Sequence, residues 1–171
     1  MDAVHIHLMI THVPILATIF SLLILIWGVV RSDSKYQMLA MTGFIIAGIF
    51  SLVALNTGEG AEEAVEHLAG VTRGVIHTHE EAAEVANWIA MLLGVVSIGG
   101  FVIQKVKPAL MKTYVFLVLL AGLVSSGAFS YVGYLGGQVR HTEIRSQTAA
   151  SAETQASEVS ERISTTNSDN D

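Results

Sequence analysis

Four apolar stretches restrict the fold of this chain more than any other feature. They are Leu8 to Val30, Met38 to Asn56, Val85 to Ile103 and Tyr114 to Leu135. About 20 consecutive apolar residues are enough for a helix to cross the hydrocarbon core of a bilayer. The sequence therefore predicts an all-α fold, an integral membrane four-helix bundle.

The alternative is a soluble four-helix bundle, because short apolar runs also form buried cores. The four stretches, however, contain no Lys, Arg, Asp or Glu and are apolar on every face. Of all residues 51% are hydrophobic and 14% charged, whereas about a quarter are charged in soluble domains. A cleaved signal peptide is not expected either, since the first stretch is too long and follows only Asp2 as a charge.

The basic residues predict the orientation of the helices. The short connections after the first and third stretches contain Arg31, Lys35, Lys105, Lys107 and Lys112, whereas the long connection from Thr57 to Glu84 contains only Arg73. By the positive-inside rule the short connections are cytoplasmic, and both termini and the long connection lie outside. Arg140 and Arg145 weaken this contrast at the fourth boundary.

All histidines of the chain fall on the predicted outer side, together with every acidic residue except Asp33. The histidines are His5, His7, His12, His67, His77, His79 and His141. This one-sided distribution predicts a site on the outer face that uses imidazole.

The first histidines lead into the first helix. In a helix His5, Met9 and His12 share one face. His12 would lie about one turn inside the membrane boundary, where a polar ring needs a partner. Pro14 either begins the straight part of the helix or kinks it. His5 and His7 can instead be ordinary interfacial residues.

The connection "TGEGAEEAVEHLAGVTRGVIHTHEEAAEVANW" predicts two helical pieces separated near Gly70 and Gly74. Glu62 pairs with Glu66, and Glu63 with His67, at a spacing of four residues. That spacing suits metal ligation from one helix face. Glutamates early in a helix also complement its positive end without any further function.

The second piece begins with Thr78 and Glu81, which have the spacing of a capping box and predict Thr78 as the N-cap of the third helix. His79 in the first turn is then a ligand candidate, and so is Glu84 one turn deeper. Asn87 and Trp88 are expected at the membrane interface.

The chain divides at His141. Residues 1–141 form the predicted transmembrane domain, in which Gly136 and Gly137 allow a close backbone approach or a helix end. Residues 142–171 are rich in Ser, Thr, Ala and Glu, lack aromatic residues, and predict a polar flexible tail.

The segments "HLMITHVPI", "TGEGAEEAVEHLAGV" with "HTHEEAA", and "GYLGGQVRHTEIR" resemble an uncharacterised family, a domain of unknown function, of small four-helix bacterial inner-membrane proteins. The likeness covers Met1 to about Arg145. It implies an inner-membrane location and an outer polar cluster at His7, His12, Glu62, Glu63, His67, His79 and His141. Some relatives are joined to or encoded near c-type cytochrome modules, which implies a redox or respiratory-chain role with such partners.

The first functional hypothesis is a metal or haem site on the outer face. The candidate metal ligands are His7, His12, Glu62, Glu63, Glu66, His67, His79, Glu84 and His141, and a mixed His and Glu set suits iron, zinc or manganese better than copper(I). Haem b would need two facing histidines, for which His12 with His79 or His67 is the predicted set. The absence of cysteine excludes cysteine-ligated iron–sulfur clusters and covalently attached haem.

Two other classes stay open. An accessory subunit of a membrane complex, or a homo-oligomer, fits the small-residue packing faces. Transport is disfavoured because no charged residue lies inside the four stretches. No nucleophilic serine motif, zinc-protease helix or phosphate loop is present, and a net charge of −6 gives no reason to expect a nucleic-acid partner.

Overall fold

The structure of this chain, a computed structural model, describes residues 3–65 and 73–140, with side chains over residues 5–58 and 73–138. It contains four long helices, α1 (Ala3–Val30), α2 (Ser34–Val65), α3 (Arg73–Val106) and α4 (Met111–Arg140), and a 3-10 turn at Pro108–Leu110. Each long helix contains a segment long and apolar enough to cross a membrane. The prediction of an all-α fold with four such helices is confirmed.

All four helices are longer than a bilayer core requires. They contain 28, 32, 34 and 30 residues, whereas about 20 residues cross that core. Helix α2 continues to Val65, and α3 begins at Arg73. The helical pieces predicted for the polar connection are therefore continuations of the two apolar helices.

The predicted start of α3 is wrong. Thr78 is not an N-cap, because α3 begins at Arg73 and its backbone is helical through Gly74. The Thr78 hydroxyl donates instead to the Gly74 carbonyl one turn back, at 2.9 Å, as threonines inside helices commonly do. Because the helix already begins at Arg73, the backbone N–H groups after Thr78 can bond to carbonyls of the preceding turn and need no side-chain cap.

Helices α1 and α2 are joined by a tight turn. The Asp33 N–H donates to the Gly28 carbonyl at 2.9 Å and the Ser32 N–H to the Val29 carbonyl at 3.1 Å, which are the two bonds of a Schellman motif. Ser32 consequently has a φ of 51°. The Asp33 carboxylate accepts a hydrogen bond from the Lys35 N–H at 2.8 Å and caps α2.

The helices form an antiparallel bundle in which each packs against the next and α4 returns to α1. Helix α1 is therefore diagonal to α3, and α2 to α4. Helices α2 and α3 approach closely, since a Cβ atom on Gly48 would lie 3.1 Å from the Ala90 carbonyl oxygen and 3.3 Å from the Cα of Gly94. Small residues permit such packing between membrane helices.

The two ends of the bundle differ in charge. We name the lysine end for Arg31, Lys35, Lys105, Lys107 and Lys112, and the histidine end for His5, His7, His12, His77 and His79. The core near the lysine end is built from large side chains, namely Leu22, Leu25, Met41, Phe44, Leu93, Met111, Val115 and Val118, with Ala40. The core near the histidine end is rich in alanine and contains Ala86, Ala90, Phe129 and Val132, with Ile15, Ala82, Ala83 and Ala128 beside them.

Most apolar side chains face away from the bundle. Only between 33% and 39% of each apolar segment is buried within the chain, an exposure that is unusual for a soluble domain. Trp27 is exposed near the lysine end, where Arg31 lies 5.8 Å from the centre of its ring. Trp88, Tyr131 and Tyr134 are exposed towards the histidine end. Aromatic residues at both ends are typical of helices that cross a membrane.

We expect Ser32→Gly to raise the free energy of unfolding in detergent micelles by about 0.5–1 kcal/mol, because glycine adopts a positive φ without a steric cost. Ser34→Gly is the matched control. Ser34 is the first residue of α2, where glycine brings no such benefit. A Ser32→Gly variant no more stable than the Ser34→Gly variant would contradict the expectation.

Candidate functional site

His7 of α1 and His79 of α3 lie at the histidine end of the bundle. Their helices are diagonal, and a positive charge on His79 would be felt at His7. Both side chains are partly buried. His79 shares its helix face with the buried residues Ala86 and Ala90, which follow it at intervals of about two and three turns. The site is therefore an imidazole pair between opposite helices.

Helix α2 orients the ring of His7. The Nδ1 atom of His7 lies 3.0 Å from the Thr57 Oγ1 atom, and the Thr57 hydroxyl donates its own proton to the Ala54 carbonyl at 3.0 Å. With the Thr57 hydroxyl proton directed to the Ala54 carbonyl, the Thr57 oxygen acts as the acceptor of the hydrogen bond with His7, and His7 Nδ1–H is the donor. This chain assigns the proton of neutral His7 to Nδ1 and leaves a lone pair on Nε2.

Helix α4 orients the ring of His79. The Val132 carbonyl is hydrogen-bonded to the ring, and Gly136 packs against the Cε1 atom, which would lie 3.1 Å from an added Cβ. Within the part of the chain that the structure describes, the buried Nδ1 atom of His79 has no hydrogen-bond partner. A carbonyl oxygen can only accept a hydrogen bond, so the ring nitrogen bonded to Val132 must carry the proton. Because Nδ1 has no partner, that nitrogen is Nε2, and Nδ1 keeps the lone pair.

All four helices thus contribute to one arrangement. Each imidazole keeps its N–H on a protein acceptor, and each presents its other nitrogen, His7 Nε2 or His79 Nδ1, as a lone pair. Histidines that bind metal ions are held in this way, since the acceptor of the N–H fixes the tautomer that ligates. The same lone pairs can also accept a proton.

His12 lies on another face of α1. Positions 7 and 12 are about 140° apart around a helix, and His12 is exposed. Its Nδ1 atom is hydrogen-bonded to the Leu8 carbonyl one turn earlier. His5 and Met9 are also exposed, in agreement with the shared face expected from their spacing. The predicted haem ligands His12 and His79 therefore lie in different environments.

Glu84 lies on the exposed face of α3 together with His77 and Glu81. His77 Nδ1 is 3.6 Å from the Glu81 carboxylate, and both side chains are about 70% exposed, so this pair contributes little to stability. Trp88 continues the same face one turn further on. Glu84 is thus placed away from the imidazole pair.

The remaining predicted ligands belong to the polar connection and the end of the chain. Glu62 and Glu63 lie on the last turns of α2, beyond Thr57. Glu66, His67 and His141 lie outside the described residues. Over the described side chains, residues 5–58 and 73–138, no group of three or more His, Cys, Asp or Glu could hold a metal ion. His7 and His79 are the histidines of these ranges that are not exposed.

Sequence reasoning missed the residues that orient the rings. Thr57 is 50 positions from His7, and the Val132 group is a backbone carbonyl, which no side-chain pattern reveals. Thr57 has one available signal, since it is a hydroxyl at the end of the second apolar stretch and antiparallel helices bring that end level with His7. Asn87, predicted at the interface, is buried in the bundle.

Comparison of this chain with protein-family models, with curated proteins and with solved structures finds no match in any of the three. The resemblance to the uncharacterised membrane family stays a prediction, and so does the redox association that it implies.

We expect Gly136→Ala to displace the His79 ring, because the new Cβ atom would lie 3.1 Å from its Cε1 atom. The readouts are the NMR resonance of the His79 Cε1–H group and the melting temperature, which we expect to shift and to fall. The matched control is Gly137→Ala, whose Cβ would meet nothing within 4 Å and which gains helix propensity. Equal spectra and equal stabilities for the two variants would show that Gly136 does not position His79.

Proposed function

We propose that this protein is a multi-pass protein of the bacterial inner membrane that binds a transition-metal ion at its histidine end and serves as a redox component there. The observation that carries the proposal is the hydrogen-bonding environment of two partly buried histidines, His7 beside Thr57 and His79 beside Val132. The tautomers assigned above give His7 Nε2 and His79 Nδ1 the free lone pairs.

The distribution of basic residues supports an orientation with the histidine end outside. Five basic residues lie at the lysine end, whereas the described part of the histidine end has Arg73 and Arg140. The positive-inside rule then favours a cytoplasmic lysine end and a periplasmic histidine end, with both termini outside.

The chemistry of the donors supports a metal ion that accepts imidazole. Two neutral imidazoles provide part of the coordination of iron or zinc, and carboxylates extend the choice to manganese. Glu62 and Glu63, on the turns of α2 beyond Thr57, are the carboxylates that we propose for the remaining positions. Glu66, His67 and His141 remain candidates of the same kind.

A metal ion is favoured over haem b by the positions of the histidines. Bis-histidine haem needs two rings facing each other across the macrocycle, but His12 is on the exposed face of α1. His79 is packed against Gly136. Proposed electron partners at the periplasmic surface are a c-type cytochrome or subunits of a respiratory complex.

The alternative function is a non-catalytic accessory subunit of a membrane complex. It is favoured by the finding that the described helices contain no group of three or more potential metal ligands. In that case the His7–Thr57 hydrogen bond and the His79 contacts with α4 would serve to fasten the helices together. Metal content separates the two proposals.

The test is elemental analysis by plasma mass spectrometry of the full-length protein, purified in mild detergent without chelator. We expect near-stoichiometric iron, zinc or manganese in the wild type and in His77→Ala, whose exposed ring is a matched control. Iron or manganese would fit the redox role, whereas zinc, which has no redox chemistry, would support the metal site and contradict the redox role. We expect a loss of metal in His79→Ala and in His7→Ala. A folded wild type without metal would contradict the metal site and favour the accessory-subunit proposal. Iron with a sharp absorption at about 400 nm would identify haem b instead of a non-haem metal ion.

A second expectation concerns Thr57. Thr57→Val removes the acceptor of the His7 N–H, and the loss of such a partner typically weakens metal binding on the order of 10- to 100-fold. Thr57→Ser keeps the hydroxyl and should retain wild-type affinity. Competition with a chromophoric chelator measures both, and equal affinities for the two variants would show that Thr57 does not set the His7 tautomer.

A further inference from the structure

Four buried polar side chains, one from each helix, lie inside the bundle below the imidazole pair. We name them the polar ladder: Thr18, Ser51, Asn87 and Ser125. Thr18, Ser51 and Ser125 are fully buried, and Asn87 is 7% exposed. None of them belongs to the proposed metal site.

The order of the ladder follows from the register of the helices. A Cβ on Gly122 would touch Phe44 and Leu22, so these residues of α4, α2 and α1 lie at the same height along the bundle axis, which we take as the first level. Gly48 lies against Ala90 and Gly94, which places α3 on the same scale. At 1.5 Å per residue, Ser125 and Thr18 lie about 4–6 Å from the first level towards the histidine end, Ser51 about 10 Å and Asn87 about 14 Å. His7, Thr57 and His79 lie at about 20–25 Å on the same scale. The ladder therefore runs from the middle of the bundle towards the imidazole pair.

Each member of the ladder has a polar atom without a partner. Thr18 Oγ1, Ser51 Oγ, Asn87 Oδ1 and Ser125 Oγ are buried and make no hydrogen bond within residues 3–65 and 73–140. The amide nitrogen of Asn87 donates to the Ala83 carbonyl at 2.8 Å, which orients the oxygen. Ser126 Oγ, next to Ser125 on α4, is in the same state. Buried polar groups are normally satisfied by protein or by water, so the presence of such atoms on all four helices over neighbouring turns indicates a bound polar ligand.

Pro14 adds a further acceptor between the ladder and His7. Proline has no N–H, so the carbonyl of Ile10, one turn earlier in α1, lacks its helical donor. Pro14 itself is fully buried. On the scale used above Pro14 lies at about 12 Å and Ile10 at about 18 Å, so the free carbonyl of Ile10 lies between the levels of Asn87 and His7.

The ladder ends at the large side chains near the lysine end. Leu22, Met41, Phe44, Leu93 and Val118 are buried there in contact, whereas alanines predominate around the ladder. Ser97, a buried serine on the lysine-end side of the ladder, donates to the Leu93 carbonyl at 2.8 Å. Unsatisfied oxygens are thus found in the alanine-rich half, where small side chains leave more room.

We infer that the polar ladder holds a chain of water molecules that is continuous with the imidazole pair and stops at Leu22, Phe44 and Val118. Water fits better than a cation, because the four oxygens are neutral. No Lys, Arg, Asp or Glu of the described helices lies at the ladder levels to balance a charge, and His12, at the level of Asn87, is exposed on the outside of α1. The water chain extends aqueous hydrogen bonding from His79 Nδ1 to about the middle of the membrane and no further, so it hydrates the interior of the bundle below the imidazole pair without forming a pore or a proton path across the membrane.

The test uses the absence of cysteine from the chain. Single Ser51→Cys, Ser125→Cys and Ser97→Cys variants of the full-length protein are labelled with methyl methanethiosulfonate, a small membrane-permeant reagent. Only the thiolate reacts, and burial in apolar surroundings suppresses it. Because the reagent reaches all three positions through lipid, the rate reports local water. We expect cysteines at positions 51 and 125 to react about tenfold faster or more than the matched control at position 97.

Equal rates at the three positions would overturn the inference, whether all are slow or all are fast. A second measurement guards against variants that fold poorly. In a dry ladder, Ser51→Ala and Ser125→Ala remove an unsatisfied hydroxyl and raise the melting temperature. In a hydrated ladder, Ser51→Ala and Ser125→Ala lower the melting temperature or leave it unchanged, because each hydroxyl is bonded to water. Ser97→Ala is expected to behave in the same way, because it loses the hydrogen bond to the Leu93 carbonyl. A rise in melting temperature for both ladder variants would also refute the water chain, irrespective of any metal at His7 and His79.

Discussion

The rest of this structure depends on the inability of hydrocarbon to form hydrogen bonds with a peptide group. A segment that crosses a bilayer must satisfy its backbone internally, so the four apolar stretches become helices. The same constraint acts on side chains. Thr42, Ser97 and Ser130 return their hydroxyl protons to carbonyls one turn back, and polar atoms that do not do so need another partner.

The length of the helices makes the two ends of the bundle different in polarity. The helices are longer than the hydrocarbon core, and the polar surplus of α2 and α3 lies at the histidine end. There the bundle carries an imidazole pair over an alanine-rich core, while the other half is filled with leucine, methionine and phenylalanine. Polar chemistry is therefore concentrated at one end, and the opposite half is an apolar barrier.

The imidazole pair links the helices as well as offering ligands. His7 connects α1 to α2 through Thr57, and His79 connects α3 to α4 through Val132 and Gly136. A metal ion bound between the two lone pairs would join these two halves of the bundle. The proposed water chain beneath His79 would satisfy the buried oxygens of Thr18, Ser51, Asn87 and Ser125 and would end at the apolar barrier.

The sequence by itself determined the number of helices, their approximate spans and the separation of lysines from histidines, because length, hydropathy and charge act locally along the chain. It also predicted that His5, Met9 and His12 share one helix face, whereas the exposure of that face comes from the structure. It misplaced the start of α3, since capping-box spacing at Thr78 looks the same whether or not the helix continues upstream. Only the tertiary structure decided that His7 and His79 are partly buried while His12 faces outward, and that Asn87 is buried. These outcomes depend on helix rotation and on contacts between residues such as His7 and Thr57, 50 positions apart, which packing alone establishes.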